Sequence, residues 1–188
     1  FPDHIPLHRE PLHSPRTDLA QKYPAYPDKA NHFRVLTKYI SVQSAADYAK
    51  DFPINMVTGR LVNMNGAGVE NRASKYLTAL TPEMFCSIHP DLALRHGIRN
   101  GDMMWVHSPE GTKIKVKAKH SLTVLPDMVF MPFHFAGYFQ GADRTGNFPA
   151  GTKPYANGES VNTVTNYGYD IITQIPETKG GLCRIEKA

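Results

Sequence analysis

TGRLVNMNGAGVENR, residues 58 to 72, decides how the rest of the chain is read. It follows Pro53 to Val57, an apolar run that reads as a buried strand. Gly59, Gly66 and Gly68 let the backbone approach a ligand closely, and consecutive amides at a strand end form a concave cradle for anionic oxygens. Arg60 adds a planar fork suited to phosphate. A plain glycine-rich turn has the same composition, and spacing alone leaves both readings open. Two familiar phosphate loops are excluded: no Gly-Lys-Ser/Thr follows, and Asn71 stands at the third glycine position of a dinucleotide fingerprint without a strand-helix-strand unit after it. A wound parallel sheet is therefore not expected.

Outward from this loop the chain reads as short strands. A short helix is expected near Ser44 to Lys50, with Ser44 as its N-cap, and a second from Pro90 to Gly97, where proline suits the first turn and glycine the C-terminal cap. Gly101 and Asp102 turn the chain into the apolar strand Met103 to His107. After the turn at Pro109 to Gly111, Lys113 to Lys119 alternates lysine with Ile114, Val116 and Ala118, a hairpin strand with its apolar side inward. Met128 to Phe133 is a further buried strand, and Phe135 to Ala188 reads as a glycine-rich, irregular tail. Many short strands with few helices predict a mainly β fold, a compact barrel with α decoration.

The first part of the chain differs in kind. Pro2, Pro6, Pro11, Pro15, Pro24 and Pro27 remove backbone donors and predict an extended arm that needs a larger body to lie on. His4, His8 and His13 sit within it, but the intervening prolines deny the helical face that would bring two rings onto one metal ion. Residues 1–49 are thus expected to be a connector arm with one short helix, and 50–188 the folded domain. The first residue is Phe1, which reads as a cut edge of a processed or longer chain.

Composition bounds the chemistry. The 188 residues are 41% apolar or aromatic, enough for the core of one soluble domain. No apolar run approaches the roughly 18 to 20 residues of a membrane helix. Twenty-one Lys and Arg against 17 Asp and Glu give +4, compatible with an anionic ligand but short of a nucleic-acid binder's basic stripe. The lysines at 113 to 119 read as the solvated side of a sheet, since no aromatic residue interleaves for base stacking. Two cysteines, Cys86 and Cys183, cannot build a four-thiolate zinc or iron–sulfur site. Nucleophilic catalysis by Cys86 or Ser121 with His89, His120 or His134 matches no known elbow or triad order, and Cys86 lies in an apolar stretch where an inert buried thiol is expected.

The tail holds a second constellation: Asn162, Thr163, Thr165, Asn166 and Asp170, followed by Pro176, Glu177, Thr178 and Lys179. Its side chains both donate and accept, which suits a heterocycle such as guanine or a pterin, and Lys179 can neutralise a phosphate. By itself this is also an ordinary polar loop.

Five segments in order make the pattern specific: 58–72 (TGRLVNMNGAGVENR), 82–102 (PEMFCSIHPDLALRHGIRNGD), 130–134 (FMPFH), 161–170 (VNTVTNYGYD) and the terminal 185–188 (IEKA). Together they resemble the C-terminal molybdopterin-dinucleotide-binding domain of formate dehydrogenase catalytic subunits, in the dimethyl sulfoxide reductase superfamily. The resemblance implies a double-psi β-barrel over about residues 50 to 188, with the proline-rich arm similar to the connector before it. It implies that Thr58, Gly59, Arg60, Leu61, Met64, Asn65, Gly66, Ala67 and Gly68 wrap a molybdopterin guanine dinucleotide, one of two (bis-MGD) around molybdenum or tungsten, with Asn162 and Lys179 as further contacts. His134 and Tyr155 lie beside matching segments. Many relatives carry a His-Trp-His-like run where this chain has Met64, Asn65 and Gly66, so an aromatic contact from the loop is not expected, while the backbone cradle is unaffected.

The resemblance further implies that metal ligand, iron–sulfur cysteines and catalytic residues belong to upstream domains of the same subunit, so that this segment has no turnover of its own. It implies an iron–sulfur electron-transfer partner subunit, a setting of anaerobic respiration and a periplasmic location, with the cytoplasm as the alternative. The reaction would be two-electron oxidation of formate to carbon dioxide. Alternatives are the same domain of a nitrate, thiosulfate or arsenate enzyme, a double-psi barrel acting as an interaction module without cofactor, and a basic single-strand binder.

Overall fold

The computed structural model describes residues 8, 10, 15–24, 47–151, 157–165, 175 and 178–188. The chain divides into two compact units, Phe1–Tyr39 and Ile40–Ala188. Within the first, helix α1 (Thr17–Lys22) fits between Pro15 and Pro24, and the Glu10 amide donates to the Tyr23 carbonyl at 2.8 Å. A purely extended arm was expected there, but the proline-free interval is long enough for more than one turn of helix, with Asp18 in its first turn and Lys22 in its last to suit the dipole. His8 is exposed and pairs with Glu10; His4 and His13 lie outside the described residues.

Among the described residues the second unit carries nine strands: β1 (Ile54–Gly59), β2 (Phe85–Ile88), β3 (Met103–His107), β4 (Lys113–His120), β5 (Met128–Pro132), β6 (Gly137–Phe139), β7 (Ala142–Asp143), β8 (Gly158–Glu159) and β9 (Gly180–Lys187). Six of them close a barrel in the order β1-β5-β2-β4-β3-β9, and β7-β6-β8 form a small separate sheet. Within the barrel two pairs are parallel, β1 with β5 and β2 with β4, and each needs a long crossover, as in the double-psi arrangement; β6 and β8 of the small sheet are parallel as well. The fold is thus mainly β with short helices, as the strand-rich pattern indicates.

Period-two burial explains the closure. In β4 the apolar Ile114, Val116 and Ala118 are buried while the intervening lysines stay at the outer wall. Met56, Ile88, Met104, Ile114, Val129 and Met131 meet inside the barrel, each contributing about 1.5–3 kcal/mol of burial. Cys86 and Cys183 are free thiols within the same core, and burial pushes both up, Cys183 to about 12 and Cys86 well above its ordinary value. This is the inert thiol the apolar context of Cys86 predicts.

Short helices decorate the barrel: α2 (Val69–Arg72), α3 (Lys75–Thr78) and α4 (Pro90–Arg95). In α4 the His89 ring accepts from the Asp91 amide, Pro90 opens the first turn, and Gly97 at φ +64° takes the left-handed conformation that ends the helix. The helix expected at 44–50 is a single 3-10 turn, Tyr48–Lys50, preceded by Asp47; Ser44 lies outside the described residues.

The tail departs from expectation. Gly180–Lys187 is not irregular but an eight-residue strand that pairs with both β1 and β3 and closes the barrel. Its glycines and alternating charges hide the pattern: only Cys183 and Ile185 face inward at full burial. No helix among the described residues is long and apolar enough to cross a membrane.

Candidate functional site

The strand directions place one set of ends together. β1 runs parallel to β5, so Gly59 lies beside Pro132, and the Phe133 amide donates to the Gly59 carbonyl at 3.2 Å. β9 runs antiparallel to β1, which sets its start, Gly180, beside Val57. β5 is antiparallel to β2, which is parallel to β4, so the start of β4 comes to this end as well. The same barrel rim therefore carries the glycine loop, residues 133–134, the approach to β9 and the chain that packs on the start of β4.

At the loop's root the Thr58 side chain is buried and its hydroxyl donates to the Thr178 carbonyl at 2.6 Å, while the Thr58 amide donates to the Lys179 carbonyl at 3.1 Å. Two sequence-distant candidates, Thr58 and Lys179, are thus adjacent through the main chain, with the Lys179 side chain in an exposed residue. Asn162 is exposed in the 3-10 turn Val161–Thr163, which the Thr112 hydroxyl holds at the start of β4 by donating to the Thr163 carbonyl. Asn162 accordingly belongs to the same rim. Asn166, Asp170, Pro176, Glu177 and Tyr155 lie outside the described residues.

The loop itself is two turns pinned from behind. The Met64 amide donates to Leu61 at 3.0 Å and the Gly68 amide to Asn65 at 2.7 Å. Asn71, buried at the base of the loop, accepts from the Asn65 amide through Oδ1 at 2.5 Å. The residue that spoils a dinucleotide fingerprint is therefore the loop's internal brace, a role no spacing rule announces. Leu61 packs against the core and Met64 is buried, so both anchor the loop, whereas Arg60, Asn65 and Ala67 are exposed.

The three glycines have distinct reasons. A Cβ on Gly59 would stand 2.7 Å from the Phe130 ring. Gly68, at φ +76°, lies against His134, whose Cβ would be 3.0 Å from an added methyl. Only Gly66, at φ +50°, has open space beside it. Packing inside the chain thus demands glycine at 59 and 68, and the left-handed backbone favours it at 66.

His134 is fully buried, and neither ring nitrogen has a hydrogen-bond partner. Burial lowers its pKa, and Arg60 and Arg72 add to the lowering; the Gly66 backbone, outside hydrogen-bond geometry, pulls the other way. Two buried, unmatched ring nitrogens thus lie directly under the loop.

These features fit an anionic dinucleotide. Among the described residues the adjacent amides of Gly66 and Ala67 donate to nothing, Arg60 is exposed on the same loop, and no acidic residue occurs between Thr58 and Val69. Free amides and a guanidinium on one loop recognise phosphate by hydrogen bonding and charge together. Among the described residues Cys86 is sealed in the core, Ser121 bonds Thr123, and His120 reaches the Ile98 carbonyl. No group of three metal-ligating side chains occurs there.

The chain matches the molydopterin dinucleotide binding domain family over residues 54–182, more than half its length. It is 29% identical over 150 residues to the F420-dependent formate dehydrogenase 1 subunit alpha of Methanococcus maripaludis, covering 76% of this chain and 19% of that one. It is 33% identical over 112 residues to the assimilatory nitrate reductase catalytic subunit of Bacillus subtilis, covering 60% of this chain and 16% of the relative. Among solved structures, acetylene hydratase from Pelobacter acetylenicus shares the fold with a TM-score of 0.57 at 17% identity, over 90% of this chain and 22% of the other. The chain spans about a fifth of the length of the curated relatives it matches.

Proposed function

Because this chain belongs to the molydopterin dinucleotide binding domain family, we propose that its barrel rim holds a molybdopterin guanine dinucleotide as the terminal part of a formate dehydrogenase. The observation that carries this reading is the convergence of the 58–68 loop, Lys179 and Asn162 on one rim, with unbonded amides at Gly66 and Ala67.

In this reading Arg60, Lys179 and the loop amides bind the pyrophosphate. Asn162, which can donate and accept, meets the guanine edge. Leu61, Met64 and Asn71 hold the loop's shape from behind so that its amides need no reorganisation on binding. When bound, the metallopterin supplies two-electron redox chemistry, and this chain's residues supply binding, orientation and a fixed positive field. Residues 50–188 form the binding domain and 1–49 the connector; turnover, metal ligation and iron–sulfur relay belong to other parts of a larger subunit and to an electron-transfer partner. Two such dinucleotides around molybdenum or tungsten, and export to the periplasm, belong to the same reading on the family resemblance; metal analysis and cell fractionation test them. Formate is favoured over nitrate because the formate dehydrogenase match extends over more of the chain.

The experiment is nucleotide release from the intact native enzyme. Acid hydrolysis is expected to free GMP in stoichiometric amount, and Arg60→Ala to lower cofactor retention on dialysis several-fold while the melting temperature of the cofactor-free protein is unchanged, since Arg60 is exposed. Absence of GMP from the native enzyme would refute the reading.

A further inference from the structure

Outside the rim, two depressions of about 470 and 340 Å³ share Pro82, Glu83, Met84 and Lys117 and join into one groove along the outer wall of β4. None of the cofactor-site residues lines it. Its apolar parts include Met84 and the partly exposed Met103, Tyr138 and Leu80, the last two 37% and 69% exposed.

Lys115, Lys117 and Lys119 line it at every second residue of one strand. Their carboxylate neighbours do not balance them. Glu83 pairs with Lys117 alone. Glu159 is buried, and its carboxylate is spent on the amides of Lys115, Gln140 and Gly141. The groove thus offers a row of cations beside an apolar trough, with no acidic side chain set against Lys115 or Lys119 among the described residues.

We propose that this groove docks an extended, acidic segment of a second polypeptide. Successive outward lysines on a strand are about 6.6–6.8 Å apart, the spacing of alternate side chains in an extended chain. An incoming strand-like segment with Asp or Glu four residues apart meets Lys115 and Lys119 in register, on either side of the Lys117–Glu83 pair, and apolar side chains flanking that acidic pair on the same side of the segment lie against Leu80, Tyr138 and Met103, which faces outward beside Lys117. Nucleic acid fits less well, although the charge would attract it. Base stacking needs bare aromatic faces, and here Lys113 and Lys115 lie over the Trp105 ring at 4.2 and 5.6 Å and Lys119 over Phe85 at 4.6 Å.

The test is zero-length carbodiimide cross-linking of the native enzyme purified with its subunits, read by peptide mass spectrometry. Lys115 or Lys119 is expected to join an Asp or Glu of a different polypeptide. Lys115→Glu with Lys119→Glu is expected to weaken retention of that polypeptide at least tenfold at low salt, with the circular dichroism spectrum and cofactor content unchanged. Three results overturn the proposal: cross-links from these lysines only to carboxylates of their own polypeptide; acetylation of both lysines in the native complex as fast as in the unfolded chain; or salt-sensitive retention of nucleic acid with no protein cross-link. Cross-linking needs no variant, so the proposal is decided even if the double substitution fails to fold. Cofactor loading is a separate readout, so loss of the partner and loss of the dinucleotide are told apart.

Discussion

Gly68 and His134 show how single residues set the site. Gly68 combines a left-handed φ of +76° with a neighbour that leaves no room for a methyl, whereas Gly97, at φ +64°, has nothing within 4 Å. Gly97→Ala should therefore cost only the backbone penalty, about 1–2 kcal/mol, and Gly68→Ala more, because the methyl must also displace His134 or the loop. Paired urea melts check this; equal costs would mean that His134 yields freely. His134 also makes a pH prediction. Its folded pKa lies below the ordinary value of about 6.5, so the unfolded chain takes up the proton first. The neutral ring's contribution is fully present above about pH 6.5 and is lost as pH falls from there through the folded pKa. His134→Phe, which keeps a ring but cannot titrate, is expected to lose less melting temperature between pH 7 and pH 5 than the native chain. An identical loss would exclude His134 as a source of acid sensitivity.

At the scale of elements, β9 is the strand that closes the barrel from the end of the chain. It is hydrogen-bonded on one side to β1 and on the other to β3, so truncation before Gly180 exposes two strand edges and uncovers the core around Ile54 and Val106. Loss of the cooperative thermal transition is expected, and a retained sharp transition would show that the barrel closes without it. The reading of elements from the sequence follows the same logic. β3, β4, β5 and α4 are legible because each has a clean local signature: an apolar run, strict alternation, or Pro90 at the start and Gly97 at the stop. β9 is not, because it buries little beyond Cys183 and Ile185 and begins with two glycines; its strand character comes from the partners on either side. The site divides similarly. The glycine loop announces itself by composition, but Asn71's brace and the Thr58–Thr178 bond join residues whose meeting depends on the closed barrel.

For the whole molecule, two groups of cations stand apart in the described fold. Arg60 and Lys179 stand at the rim, and Lys115, Lys117 and Lys119 line the outer wall. The shortage of thiols has a structural counterpart, since both cysteines are locked in the core and neither is available to a metal or cluster. This suits a domain that encloses a cofactor whose reactive metal is held by another part of a larger subunit. The most direct measurement is hydrogen exchange on the native enzyme with and without its cofactor. Dinucleotide binding at the rim predicts that amides at 60–68, Gly66 and Ala67 above all, exchange at least tenfold more slowly in the loaded form, with slowing also at 161–165. Unchanged exchange throughout these segments, with protection elsewhere on the barrel, would contradict it.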